Sequence, residues 1–119
     1  MSNGKLEEFK AYQKALELFD MVVNDIGQWL QDRRLDRLVS QQLASADSIC
    51  SNIEEGYGRE STTEYRRFLI IARGSLRETM GRYKRLGHWL PKEVVSKRIE
   101  LAEEINKMLS STIKKLGNK

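Results

Sequence analysis

A chain of 119 residues, 39% hydrophobic and 32% charged, is long enough for one core without disulfide or metal staples and too apolar for wholesale disorder. Its single cysteine, Cys50, excludes an internal disulfide and suits a reducing cytoplasm. No apolar run approaches membrane-spanning length, and the opening residues lack the apolar block of a secretion signal, so a membrane role is not expected.

Four segments repeat their apolar residues with a period near 3.6, and none alternates as a strand would. The first helix is predicted over about residues 8–30, with Phe9, Tyr12, Ala15, Leu16, Phe19, Val22, Val23, Ile26 and Leu30 on one side. The second covers about 35–57, with Leu35, Leu38, Val39, Ala46, Ile49, Cys50, Ile53 and Tyr57 as its stripe. Beside that stripe runs a polar strip: Gln41, Ser45, Ser48, Asn52 and Glu55. It reads either as a ligand or partner groove or as a close helix contact with Asn52 and Glu55 hydrogen-bonded inside. A buried Glu55 requires a cation, and Arg73 is the expected one.

The corner "GYGRES" ends one helix and starts the next. Gly58 is expected to close the second helix in the left-handed conformation. Ser61, with Glu64 three positions on, has the spacing of a capping box. Gly56 lies inside the last helical turn, where glycine costs about 1 kcal/mol relative to alanine. Close approach of another backbone is the expected compensation.

The third helix is predicted over about 61–88, with Tyr65, Phe68, Leu69, Ala72, Leu76, Thr79, Tyr83 and Leu86 facing the core. Arg66, Ile70, Arg73, Arg77, Lys84 and His88 fall along another side, and Ile71 and Gly74 on a further flank. A helix apolar on nearly every side in its middle turn is expected to be covered on nearly every side. Ile70, Ile71 and Gly74 are therefore the expected contact surface for a second copy of the chain. The fourth helix, about 91–116, opens at Pro91 and carries Val94, Val95, Leu101, Ala102, Ile105, Met108, Leu109, Ile113 and Leu116. Long helices with short connections give an all-α, antiparallel up-down four-helix bundle within a single domain, 1–119.

Charge is segregated along this plan. Residues 1–30 and 31–58 each hold three basic and five acidic residues; residues 59–85 hold eight basic and three acidic, and 86–119 seven basic and four acidic. Arg59, Arg66, Arg67, Arg73, Arg77, Lys84 and Arg85 form a candidate nucleic-acid patch, since the guanidinium fork matches phosphate. A solvated helix face is the alternative. Aromatic residues are thin among these cations, so RNA or DNA binding is expected to be electrostatic and strongly salt-dependent. Enzyme signatures are scarce. His88 and Cys50 are far apart in sequence, no Cys/His spacing fits a metal, and no cofactor motif appears. The chain is not expected to be an enzyme, and Cys50 is expected to be a buried, inert thiol.

The stretch "SADSICSNIEEGYGRESTTEYRRFLIIARGSLRET" resembles the signature of the bacterial four helix bundle protein family, S-I-P-S-N-I-A-E-G-x-G-R followed by F-L-x-I-A-R-G-S-x-x-E. Ser48, Ile49, Ser51, Asn52, Ile53, Glu55, Gly56, Gly58 and Arg59 match its first half. Ser61, Tyr65, Phe68, Leu69, Ile71, Ala72, Arg73, Gly74, Ser75 and Glu78 match its second, while Cys50 stands for the usual proline and Glu54 for the usual alanine. That family includes proteins encoded in intervening sequences of large-subunit ribosomal RNA genes and accessory variability determinants of diversity-generating retroelements. The resemblance implies a ring-like homopentamer with a basic surface. For the retroelement members it implies a reverse transcriptase and its RNA or DNA as partners. For the intervening-sequence members, a structural or protein-interaction module is the alternative.

Overall fold

The computed structural model describes residues 5–118. Four α-helices account for most of them: α1 (Lys10–Trp29), α2 (Asp36–Tyr57), α3 (Thr62–Arg85) and α4 (Lys92–Gly117). Single 3-10 turns at Leu6–Glu8, Arg33–Leu35 and Leu86–His88 shape the entry to α1, the α1–α2 connection and the end of α3. There is no strand among the described residues. Each helix packs on its chain neighbours, and α4 returns to α1, which closes a four-sided bundle with extents of 46 × 21 × 20 Å.

Cross-helix bonds show the antiparallel register directly. Ser45 meets Thr79 while Ser48 meets Ser75 on α2 and α3. Arg66 reaches Ile113 while Arg73 reaches Ser110 on α3 and α4. The core is the line of apolar side chains at helical spacing, including Leu18, Val22, Ile49, Ile53, Leu69, Leu76, Ile105 and Leu109, all essentially without solvent access. In α1 the stripe is rotated from the expected one. Ala11, Ala15, Leu18, Val22 and Asp25 face inward, and Leu16 and Val23 lie on the surface. An acid at position 25 hides this phase from a purely apolar count, because the true inward line passes through it.

The corner between α2 and α3 is built partly as expected. Ser61 Oγ accepts from the Glu64 amide at 3.3 Å, but the Glu64 carboxylate turns to Arg67 instead of reaching back. Gly58 does not adopt the left-handed conformation. Its φ is −81° and ψ −3°, and no described glycine has a positive φ. The chain leaves α2 through one more right-handed residue, whose neighbour Arg59 closes a bond to the Gly56 carbonyl at 3.1 Å. Gly56 has the close approach expected of it. A Cβ there would stand 2.8 Å from Phe68 Cβ and 3.2 Å from the Tyr65 carbonyl oxygen.

Candidate nucleic-acid interface

The seven expected phosphate-binding cations meet three different fates. Arg66 and Arg73 are half-buried against α4. Arg66 Nε donates to the Ile113 carbonyl at 3.0 Å, and Arg73 Nη1 to Ser110 Oγ at 3.1 Å. A guanidinium laid over the last turns of a helix also meets the negative end of its macrodipole. Arg59 and Arg67 stack on the Phe68 ring, 4.9 and 4.7 Å from its centroid. Their charges are answered locally, Arg59 by Glu55 at 2.6 Å and Arg67 by Glu64 at 3.2 Å. Arg77, Lys84 and Arg85 are exposed, and no acid among the described residues pairs with any of them.

Ile70 and Ile71 are partly exposed, at 37% and 39%, and the space above Gly74 is open to 4 Å. Ile70 borders a groove of about 730 Å³ with Arg66, Arg67 and Leu116. These residues face away from the chain's own core.

The expected network of Asn52, Glu55 and Arg73 does not form. Asn52 Nδ2 donates to Ser48 on its own helix, Glu55 is exposed with Arg59, and Arg73 faces α4. Helical spacing put Asn52 and Glu55 on one strip, but Glu55 lies at its solvent edge, where an i,i+4 partner is nearer than α3. The strip does make the close helix contact. Its serines meet Thr79 and Ser75 of α3 at 2.7 and 2.8 Å.

Two buried charged groups were not foreseen. Asp25, with no solvent exposure, accepts two bonds from Arg98 at 2.8 and 2.9 Å and one from Tyr83 Oη at 2.7 Å. Arg82 lies between α2 and α3, donating to Gln42 Oε1 and Ser45 Oγ. The signal was present: Asp25 follows Val22 by three and Arg98 precedes Ala102 by four, so both fall on inward lines of opposite charge.

Cys50 is buried, and that burial, reinforced by Glu54 and Asp47, pushes its thiol up to about 12. The native protein is expected to resist thiol reagents at neutral pH and to react stoichiometrically once unfolded; rapid native labelling would contradict this. Burial, then the bond to Asp25, likewise raises the Tyr83 phenol. Folding thus favours the protonated thiol and phenol. This share of stability is complete below about pH 8.5 and is lost as pH rises toward the folded values. Urea midpoints are expected to fall steadily above about pH 9, and a flat profile would overturn the assignment.

The model of the 23S rRNA-intervening sequence protein family matches residues 7–111. The chain is also similar to a crystal structure of a protein with unknown function from the S23 ribosomal protein family of Bacteroides thetaiotaomicron. The two share 26% identity with a TM-score of 0.77, covering 87% of this chain and 98% of that one. Comparison with curated proteins gives no match.

Proposed function

The chain belongs to the 23S rRNA-intervening sequence protein family, and on that footing we propose that it is a non-enzymatic, homo-oligomeric accessory protein that binds nucleic acid. The observation that carries this reading is that three cations of α3, Arg77, Lys84 and Arg85, are exposed and form no ion pair among the described residues. They stand on a half of the chain rich in basic residues, while the acids gather in the other. Such cations release counterions from a phosphate backbone, so the affinity depends on salt more than on sequence.

Assembly draws support from the outward side of α3. A mid-helix glycine costs about 1 kcal/mol relative to alanine, and among the described residues nothing uses the room above Gly74. A neighbouring copy seated between Ile70 and Ile71 would use it, in keeping with the ring-like homopentamer that the resemblance implies. Retention of a co-encoded reverse transcriptase would assign the chain to the retroelement branch.

RNA binding at low salt is expected to weaken linearly in log affinity against log salt. Neutralising Arg77, Lys84 and Arg85 together is expected to lower the slope by about 0.7–0.9 per residue, with folding unchanged. A wild-type protein that ignores RNA and DNA at low salt ends this reading. The second reading is an interaction module without nucleic-acid affinity, favoured by the local expenditure of Arg59, Arg66, Arg67 and Arg73. It requires a stable oligomer that no polyanion perturbs.

A further inference from the structure

The seam between α2 and α3 holds a buried cation that forms no ion pair among the described residues. Arg82 is 9% exposed, and no carboxylate among the described residues forms an ion pair with it. Its Nη1 donates to Gln42 Oε1 at 2.9 Å, Ser45 Oγ at 3.1 Å and the Gln41 carbonyl at 3.4 Å. Its Nε is buried without an acceptor, and no described group accepts from Nη2. Arg98 shows how this fold treats its other inward arginine, which is paired with the buried Asp25 at 2.8 Å. Removing a charge from water without a partner is costly. Burial, and then Arg85, lower the Arg82 pKa, against a smaller opposing pull from the Glu78 carboxylate one turn away.

Arg82 borders a groove of about 410 Å³ shared with Ser45, Ser48, Ser75 and Glu78. Ser45 Oγ and Thr79 Oγ1 share a bond at 2.7 Å, with the Gln42 and Ser75 carbonyls as their further acceptors at 3.3 and 2.9 Å. Ser48 Oγ accepts twice, from Asn52 Nδ2 at 2.9 Å and Ser75 Oγ at 2.8 Å. Its own proton is left without an acceptor. On both sides of the seam, what remains unspent and open to the groove is a donor: Nη2 of Arg82 and the Ser48 hydroxyl. Glu78, the one acid on the groove, makes no hydrogen bond or ion pair among the described residues.

We infer that the α2–α3 groove is a binding site for a small oxyanion, a phosphate group either free or carried on a nucleotide, held by Nη2 of Arg82 and by Ser48 Oγ. Nη1 is spent on Gln41, Gln42 and Ser45 and Nε is enclosed, so Nη2 is the nitrogen left to make a charge-assisted bond to an oxyanion. Glu78 opposes the ligand's charge and weakens the site. The assignment does not depend on the reading of Arg77, Lys84 and Arg85 given above.

The test follows the Arg82 Nε–H correlation by NMR during titration with inorganic phosphate, against sodium chloride at matched ionic strength. Phosphate is expected to move the signal saturably and chloride is not. Ser48→Ala, which leaves the helix contact through Ser45 and Thr79 in place, is expected to weaken binding about tenfold, the worth of one charge-assisted hydrogen bond. Glu78→Gln is expected to tighten it. Adenosine monophosphate separates the two sources: tighter binding than phosphate assigns the carried group, and equal or weaker binding the free one. The inference is overturned if phosphate and chloride act alike in both wild type and Glu78→Gln, or if Ser48→Ala leaves a saturable affinity unchanged.

Discussion

Asp25→Ala is expected to destabilise the protein by about 3–5 kcal/mol, because it strands a buried arginine. The carboxylate is enclosed between α1, α3 and α4 and satisfies Arg98 twice and Tyr83 once. Removing it leaves a guanidinium whose side chain is 13% exposed, and a buried phenol without its acceptor. The melting temperature is expected to drop by roughly 12–20 °C. The double replacement Asp25→Leu with Arg98→Met is expected to recover much of that loss, since a buried pair exchanged for packed apolar groups is often close to neutral. Calorimetry on both variants checks the account. A single mutant melting within about 2 °C of wild type would show that the pair contributes nothing.

Gly56→Ala is the second large effect, and its sign is opposite to the usual helix rule. Alanine for glycine within a helix ordinarily gains about 1 kcal/mol. Here the added methyl would stand 2.8 Å from Phe68 Cβ and 3.2 Å from the Tyr65 carbonyl, atoms fixed to the backbone of α3. The two helices must part, at an overpacking cost of about 1–3 kcal/mol, and the Phe68 ring that carries Arg59 and Arg67 moves with them. Gly74→Ala provides the control. Among the described residues no neighbouring side chain or helix lies within 4 Å of its Cβ position, so the isolated subunit is expected to gain up to about 1 kcal/mol. Urea midpoints separate the two, and stabilisation by Gly56→Ala would refute the close contact.

The number, order and approximate extent of the helices were legible because amphipathic periodicity is a local property. Leu69, Ala72, Leu76 and Tyr83 had to share a side of α3 whatever they packed against. The Ser61 cap and the crowding at Gly56 were legible for the same reason, since each leaves its mark within a few residues. Pairing between helices was not local. Glu55 and Arg73 had suitable charges and phases, yet Glu55 met Arg59 one turn away while Arg73 turned to α4. The inward line of α1 was misplaced because an acid on it reads as surface until its partner, 73 residues later, is known.

By itself, the sequence determined an all-α chain with four long amphipathic helices, an acidic first half and a basic second half, because propensity, periodicity and net charge are sums over near neighbours. Only the tertiary structure decided which charges are free. Arg66 and Arg73 are consumed by α4, Asp25 and Arg98 neutralise each other inside, Arg82 is buried with no ion pair among the described residues, and Arg77, Lys84 and Arg85 stay in solvent. A side chain's electrostatic role depends on what lies within a few ångströms of its last atoms, and for residues on different helices that distance exists only once the bundle has closed.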